Sequence, residues 1–149
     1  MEIKVNIKKI EDELNKIHKN LNINYKGVKA GYFVGKNYPN GFSIAKNALT
    51  QNYGNERIPA RPFLTNTYDK HKEQWKKLFI KNFTNKRTML QNLNIVGEYM
   101  KNNIKQSIDE TLTPPNSPQT IRRKKSSHPL IDTGLLKKSV AKEVIHGNK

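Results

Sequence analysis

The prolines of this 149-residue chain do most to limit what it can fold into. Pro59 and Pro62 stand three apart, and Pro114, Pro115 and Pro118 fall within five residues. Proline lacks the amide donor that a helix interior needs, and its ring crowds the carbonyl of the preceding turn. A helix is therefore not expected to run through either cluster. Ile58 and Arg61, each followed by proline, are biased towards extended backbone as well.

Between the two clusters the apolar residues recur at helical spacing. Tyr68, His71, Trp75, Leu78, Phe79 and Phe83 predict a helix over 66–83. After a break at 82–85, Leu90, Leu93, Val96, Met100, Ile104 and Ile108 predict a second over 86–110. Gly97 sits within that second stripe, where it disfavours helix by about 1 kcal/mol against alanine. A close crossing by another element would account for it.

The flanks differ in period. Ile7, Ile10, Leu14, Ile17 and Leu21 line one face of a helix over 3–21, facing a core or a partner, with Glu11, Asp12 and Glu13 among lysines elsewhere on it. Val28, Ala30 and Tyr32 alternate with Lys29, Gly31 and Phe33, which predicts a strand over 25–34. Residues 35–41, rich in Gly, Pro and Asn, form a turn, and Gly35-Lys36 lacks the spacing and following helix of a phosphate loop. Ser43 is expected to cap a short helix with Ile44, Ala45, Ala48 and Leu49 inward, ended by Gly54. Residues 139–145 alternate again as a last strand.

These elements predict an α+β fold, with a small, mostly antiparallel or mixed sheet flanked by amphipathic helices and a long proline-rich basic loop. The chain reads as one domain, 1–149. Within it fall an N-terminal helix (1–24), a sheet and helix core (25–110), a mobile loop (111–128) and a C-terminal turn and strand (129–149). The loop is expected to carry Arg122, Arg123, Lys124 and Lys125 as an exposed arm.

Twenty-eight basic against twelve acidic residues leave a charge of +16, which favours a polyanion or an acidic protein surface. Most of that charge is lysine spread along the whole chain. The forked donors suited to base edges are confined to Arg57, Arg61, Arg87, Arg122 and Arg123. A coding bias towards Lys, Asn and Ile explains the balance equally well. The low apolar fraction, 34%, suggests that part of the surface gains its burial from a partner. The absence of cysteine excludes disulfides, thiolate catalysis and cysteine-ligated metals. No apolar run approaches the 18 or so residues that span a bilayer, so no membrane partner is expected.

Asp132-Thr133-Gly134, following Leu130-Ile131, admits two readings. It could be the catalytic loop of a retroviral-type aspartic protease, in which an apolar strand presents an aspartate that shares a proton with a second copy. It could instead start a short helix, with Asp132 or Thr133 capping its free amides. Only fifteen residues follow Gly134, too few to close a protease barrel, and the structural turn is the favoured reading.

The order of motifs resembles the tail-completion and head-tail joining (neck) proteins of tailed bacteriophages. The resemblance spans roughly residues 25–145. Its specific parts are Ile-Pro-Ala-Arg-Pro-Phe-Leu at 58–64, the Thr-Ile-Arg-Arg-Lys arm at 120–124 and Pro-Leu-Ile-Asp-Thr-Gly from 129. Many members carry an acidic residue before the Tyr/Phe-Gly pair, where this chain has Gln51-Asn52.

The resemblance implies a small α+β subunit of the virion neck, without catalysis, cofactor or metal, that assembles with itself into a ring, expected to be six-fold. Tail-tube and head-connector proteins are the implied partners, with DNA passing nearby. Pro59, Arg61, Pro62 and Phe63, together with the basic run, are then candidate assembly surfaces, with Phe63 as an anchor. A basic nucleic-acid-binding protein is the main alternative, although Trp75, Phe79 and Phe83 fall at core spacing rather than on a stacking platform.

Overall fold

The computed structural model describes residue 8, residues 11–16, 25–84 and 87–147. Residues 11–16 (α1) are helical and exposed. The remainder of the stripe predicted over 3–21, Ile7, Ile10, Ile17 and Leu21, lies outside the described residues. The elements that follow are β1 (Tyr25–Gly31), α2 (Ile44–Tyr53), α3 (Phe63–Thr84), α4 (Met89–Glu110), α5 (Pro118–Lys124), α6 (Leu135–Lys138) and β2 (Ala141–His146). The fold is α+β: β1 and β2 pair antiparallel, with Val28 opposite Val144, and α4 packs against both strands of the two-stranded sheet.

Helices α3 and α4 form an antiparallel hairpin. Trp75 is buried and donates from Nε1 to Asn103 Oδ1 at 2.8 Å, while Asn92 donates from Nδ2 to the Phe79 carbonyl at 2.8 Å. Thr88 starts α4 through a reciprocal capping box with Gln91, which satisfies two amides otherwise left free at a helix start. The sheet lies across α4 at Gly97. A Cβ built there would meet Val28 Cγ2 at 2.7 Å and Lys142 Cδ at 2.9 Å, so the close crossing expected from the sequence is present.

The main core gathers Ile44 and Ala48 of α2, Phe63 at the start of α3, Ile104 and Ile108 of α4, and Leu130, Leu136 and Val140 of the C-terminal segment. Ser43 caps α2 by accepting from the Lys46 amide at 3.3 Å. Gly54 ends it at φ 73°, where a side chain would also strike the Ala60 amide nitrogen at 2.7 Å. Leu49, expected inward, is exposed. Ala48 and Asn52 hold the buried face instead.

Three further expectations are corrected. Pro62 immediately precedes α3, and Phe63 is its first residue. Phe63 is wholly buried in its own subunit, so its ring is not available as an anchor for a neighbour. The basic run is exposed at Arg122, Arg123 and Lys125, as expected of the arm, but it is helical rather than irregular loop. Ser117 accepts from the Thr120 amide, Pro118 occupies the first turn, and residues 118–124 are helical. Proline breaks helix interiors but suits the first position, where its missing amide would have no partner.

Asp132, finally, is not a cap. Gly134 precedes α6 at φ 76° with no side-chain cap, and the nearest substitute is Thr133 Oγ1, which accepts from the Leu135 amide at 3.4 Å.

Candidate functional site: a basic cleft

The segments that carry the sequence motifs are far apart in the chain, and one buried side chain joins two of them. Arg61 is 4% exposed. Its guanidinium donates to the Pro114 carbonyl at 2.8 Å, to Gln51 Oε1 at 2.9 Å, to the Pro115 carbonyl at 3.2 Å and to Asn116 Oδ1 at 3.4 Å. All four acceptors are neutral. Burial lowers the Arg61 pKa from its ordinary value, because the charge has left water without meeting a carboxylate.

Asn116 passes the connection onward, donating from Nδ2 to the His128 carbonyl at 3.2 Å. The five-residue proline cluster is thereby held against both the 58–64 segment and the C-terminal turn. Asn52 has a comparable role on the other side of Arg61. It is buried in α2 and its Oδ1 accepts from the amides of Leu64 (2.9 Å) and Thr65 (3.3 Å), capping α3 from a neighbouring helix. Asn52 stands where the resemblance implies an acidic residue, and its neutral oxygen supplies this cap.

A cleft of about 640 Å³ opens over this arrangement. Its walls come from the turn at Tyr38 and Asn40, from α2, from Arg57 to Arg61, from α5, and from Leu130 to Leu136. Pro59, Arg61, Arg123, Lys124, Asp132, Thr133 and Gly134 all line it. Pro62, Phe63, Arg122 and Lys125 do not: Phe63 is interior, while Pro62, Arg122 and Lys125 are exposed elsewhere.

Four cations, Arg57, Arg61, Arg123 and Lys124, face one carboxylate, Asp132. Lys124 donates to the Pro129 carbonyl at 3.2 Å. Burial lowers its pKa first of all, with Arg61 and Arg123 adding to the effect and Asp132 opposing it. Among the described residues no carboxylate lies within ion-pairing distance of any of these four cations. Such a cleft suits an anion that brings its own carboxylates.

Asp132 is exposed and lies in a bend after the turn at Leu130, rather than at the end of a strand. Among the described residues no three His, Cys, Asp or Glu stand together as metal ligands, and no helix is long and apolar enough to cross a membrane. Sequence reasoning missed Asn116, Asn52, Gln51 and Tyr38. An asparagine between prolines, as at Pro115-Asn116-Ser117-Pro118, was the one available signal, since a polar side chain there either faces water or ties the loop down. No family model matches this chain, and neither a curated protein nor a solved structure is found to match it.

Proposed function

We propose that the chain is a structural subunit of the neck of a tailed bacteriophage, completing the tail end or joining it to the head connector as a ring of copies. The observation that carries this reading is the meeting of three separated motifs in one place. Residues from 58–64, 120–124 and 129–140, on which the family resemblance rests, line a single cleft in which four cations face one carboxylate. In this reading the cleft receives an acidic segment of a neighbouring subunit or of a neck partner, and acts by docking.

Sedimentation across salt concentration, with and without tail-tube protein, tests this. At +16 like charges repel across a ring, so a monomer is expected in dilute low-salt solution. A closed ring is expected at raised salt or with the acidic partner. Arg123→Glu with Lys124→Glu should weaken the partnered assembly while leaving the subunit folded. A monomer under every condition would overturn the reading. Binding to any duplex, weakening by about one logarithmic unit of affinity per unit of log salt for each phosphate contacted, would favour the nucleic-acid alternative.

A further inference from the structure

A second concavity shares no lining residue with the basic cleft and differs from it in character. It lies along the α3–α4 hairpin beside β1, is about 450 Å³ in volume, and has Val28, Trp75, Phe79, Val96 and Met100 among its walls. Ile80, also in its lining, has 62% of its surface exposed to water. Lys72 and Lys76 stand along its α3 side. An open apolar groove edged with charge has the form of a surface that a partner's apolar face can cover.

The same chain carries a segment that matches it. The stripe Ile7, Ile10, Leu14, Ile17, Leu21 would give a helix over 3–21 one continuous apolar face. In the described part of that segment, residues 11–16 are helical and every one is exposed, with Leu14 57% exposed. At 1.5 Å per residue, the nineteen residues would span about 28 Å, against about 33 Å for α3. Along α3 the groove's lining runs from Tyr68 to Ile80, about 18 Å, so it would hold about three turns of such a helix.

The charges agree as well. Around a helix Glu11 and Glu13 fall on either border of the apolar stripe, and Asp12 falls behind it. This triplet is the acidic run of a segment otherwise rich in lysine, Glu13 being paired with Lys16 at 3.1 Å in an exposed i,i+3 pair, and the groove presents lysines to it. Lys72 and Lys76 pair with Asp69 and Glu73 of their own helix, in exposed pairs three residues apart, and Lys72 also lies over the Tyr68 ring at 5.4 Å. Exposed pairs of that kind contribute little, so re-pairing across an interface costs little.

We infer that the groove on α3–α4 receives the N-terminal helix of a second copy of this chain. Leu14, the one described residue of the stripe, is uncovered in its own chain, and the groove is open. Each subunit then gives one helix and takes one, a head-to-tail contact that propagates into a closed ring if the rotation closes. The inference rests on the reading of the chain as a self-assembling subunit and adds the surface by which copies join.

The chain contains no cysteine, so introduced thiols report contact without background. Leu14→Cys and Ile80→Cys proteins, carrying tags of different size, are mixed and mildly oxidised at the salt concentration that favours assembly. The mixed disulfide should form on the order of tenfold faster than that between Leu14→Cys and Tyr53→Cys, the docking preference corresponding to about 1.4 kcal/mol. Tyr53 is exposed on α2 and lies outside the groove.

Glu11→Lys with Glu13→Lys should slow the reaction, and Lys72→Glu with Lys76→Glu on the receiving copy should restore it. The double variant Leu14→Cys/Ile80→Cys should give a ladder of covalent oligomers. Closure of that variant into a disulfide-linked monomer would overturn the inference by placing the helix in its own groove. A rate no greater than that of the Tyr53 control would overturn it too. No tail-tube protein is present in these reactions, so their result is separate from the tail-tube sedimentation that tests the neck reading.

Discussion

Arg61 Nε donates to the carbonyl oxygen of Pro114 at 2.8 Å, across 53 residues of chain. The two proline clusters thereby become one structural unit, in which a buried guanidinium satisfies the carbonyls of a segment unable to form its own ladder. Arg61→Met should cost about 3 kcal/mol, because it leaves the buried acceptors at Pro114, Pro115 and Asn116 without a donor. Arg61→Lys should recover about 1 kcal/mol of that loss, since a single ammonium cannot span the fork. Urea unfolding followed by circular dichroism reads both, and equal stability of all three proteins would refute the connection.

Gly97 and Val28 make a second long-range fit. Gly97→Ala should gain about 1 kcal/mol of helix propensity but lose more from the Cβ that would meet Val28 Cγ2 at 2.7 Å. A net loss of about 1–2 kcal/mol is expected, as for other overpacked contacts. Val28 is β-branched and turns poorly, whereas the Lys142 chain can move aside. Val28→Ala should therefore be less harmful in the Gly97→Ala background than in the parent, and a double-mutant cycle on thermal unfolding measures the difference.

Tyr32 is the case in which removal should help. Its hydroxyl is buried without a hydrogen-bond partner, while its ring meets Phe63 edge-on at 6.3 Å. Tyr32→Phe keeps the ring contact and should stabilise the fold by about 1 kcal/mol. Burial, with Tyr38 adding to it, holds the Tyr32 phenol far above the ordinary tyrosine range. As pH rises through about 10, the unfolded chain releases this proton and the folded chain retains it, so stability falls. The gap in stability between Tyr32→Phe and the parent should therefore widen above that pH in denaturant titrations.

The turn before α6 separates two neighbours that the sequence placed together. Gly134 holds φ 76°, so Gly134→Ala should cost about 1 kcal/mol in left-handed strain. Asp132 is exposed and caps nothing, so Asp132→Ala and Asp132→Asn should stay within about 0.5 kcal/mol of the parent. Differential scanning calorimetry on the three variants distinguishes them, and a loss at Asp132→Ala equal to that at Gly134→Ala would restore Asp132 as a structural cap.

By itself the sequence determined the elements whose signals are local and periodic. The stripe through Leu93, Val96, Ile104 and Ile108 set α4, the serine and glycine around 44–53 set α2, and the alternations near 28 and 144 set the two strands. Gly97 announced a crossing, because a glycine at a buried helical position is costly unless something lies against it. Tertiary structure alone decided which element crossed there, since pairing strands more than a hundred residues apart depends on the packing of everything between them.

The same distinction explains the misread residues. Phe63 could be recognised as an anchor, but whether its ring fills its own core or a neighbour's depends on where α4 and the C-terminal turn come to rest. Proline at 118 excludes a helix interior and permits a helix start, and Ser117 ahead of it settles which, a choice made by the cap and not by the proline. The burial of Arg61 was illegible for a third reason. A charged side chain enters a core only when acceptors converge on it, and those acceptors lie in segments that sequence proximity does not connect.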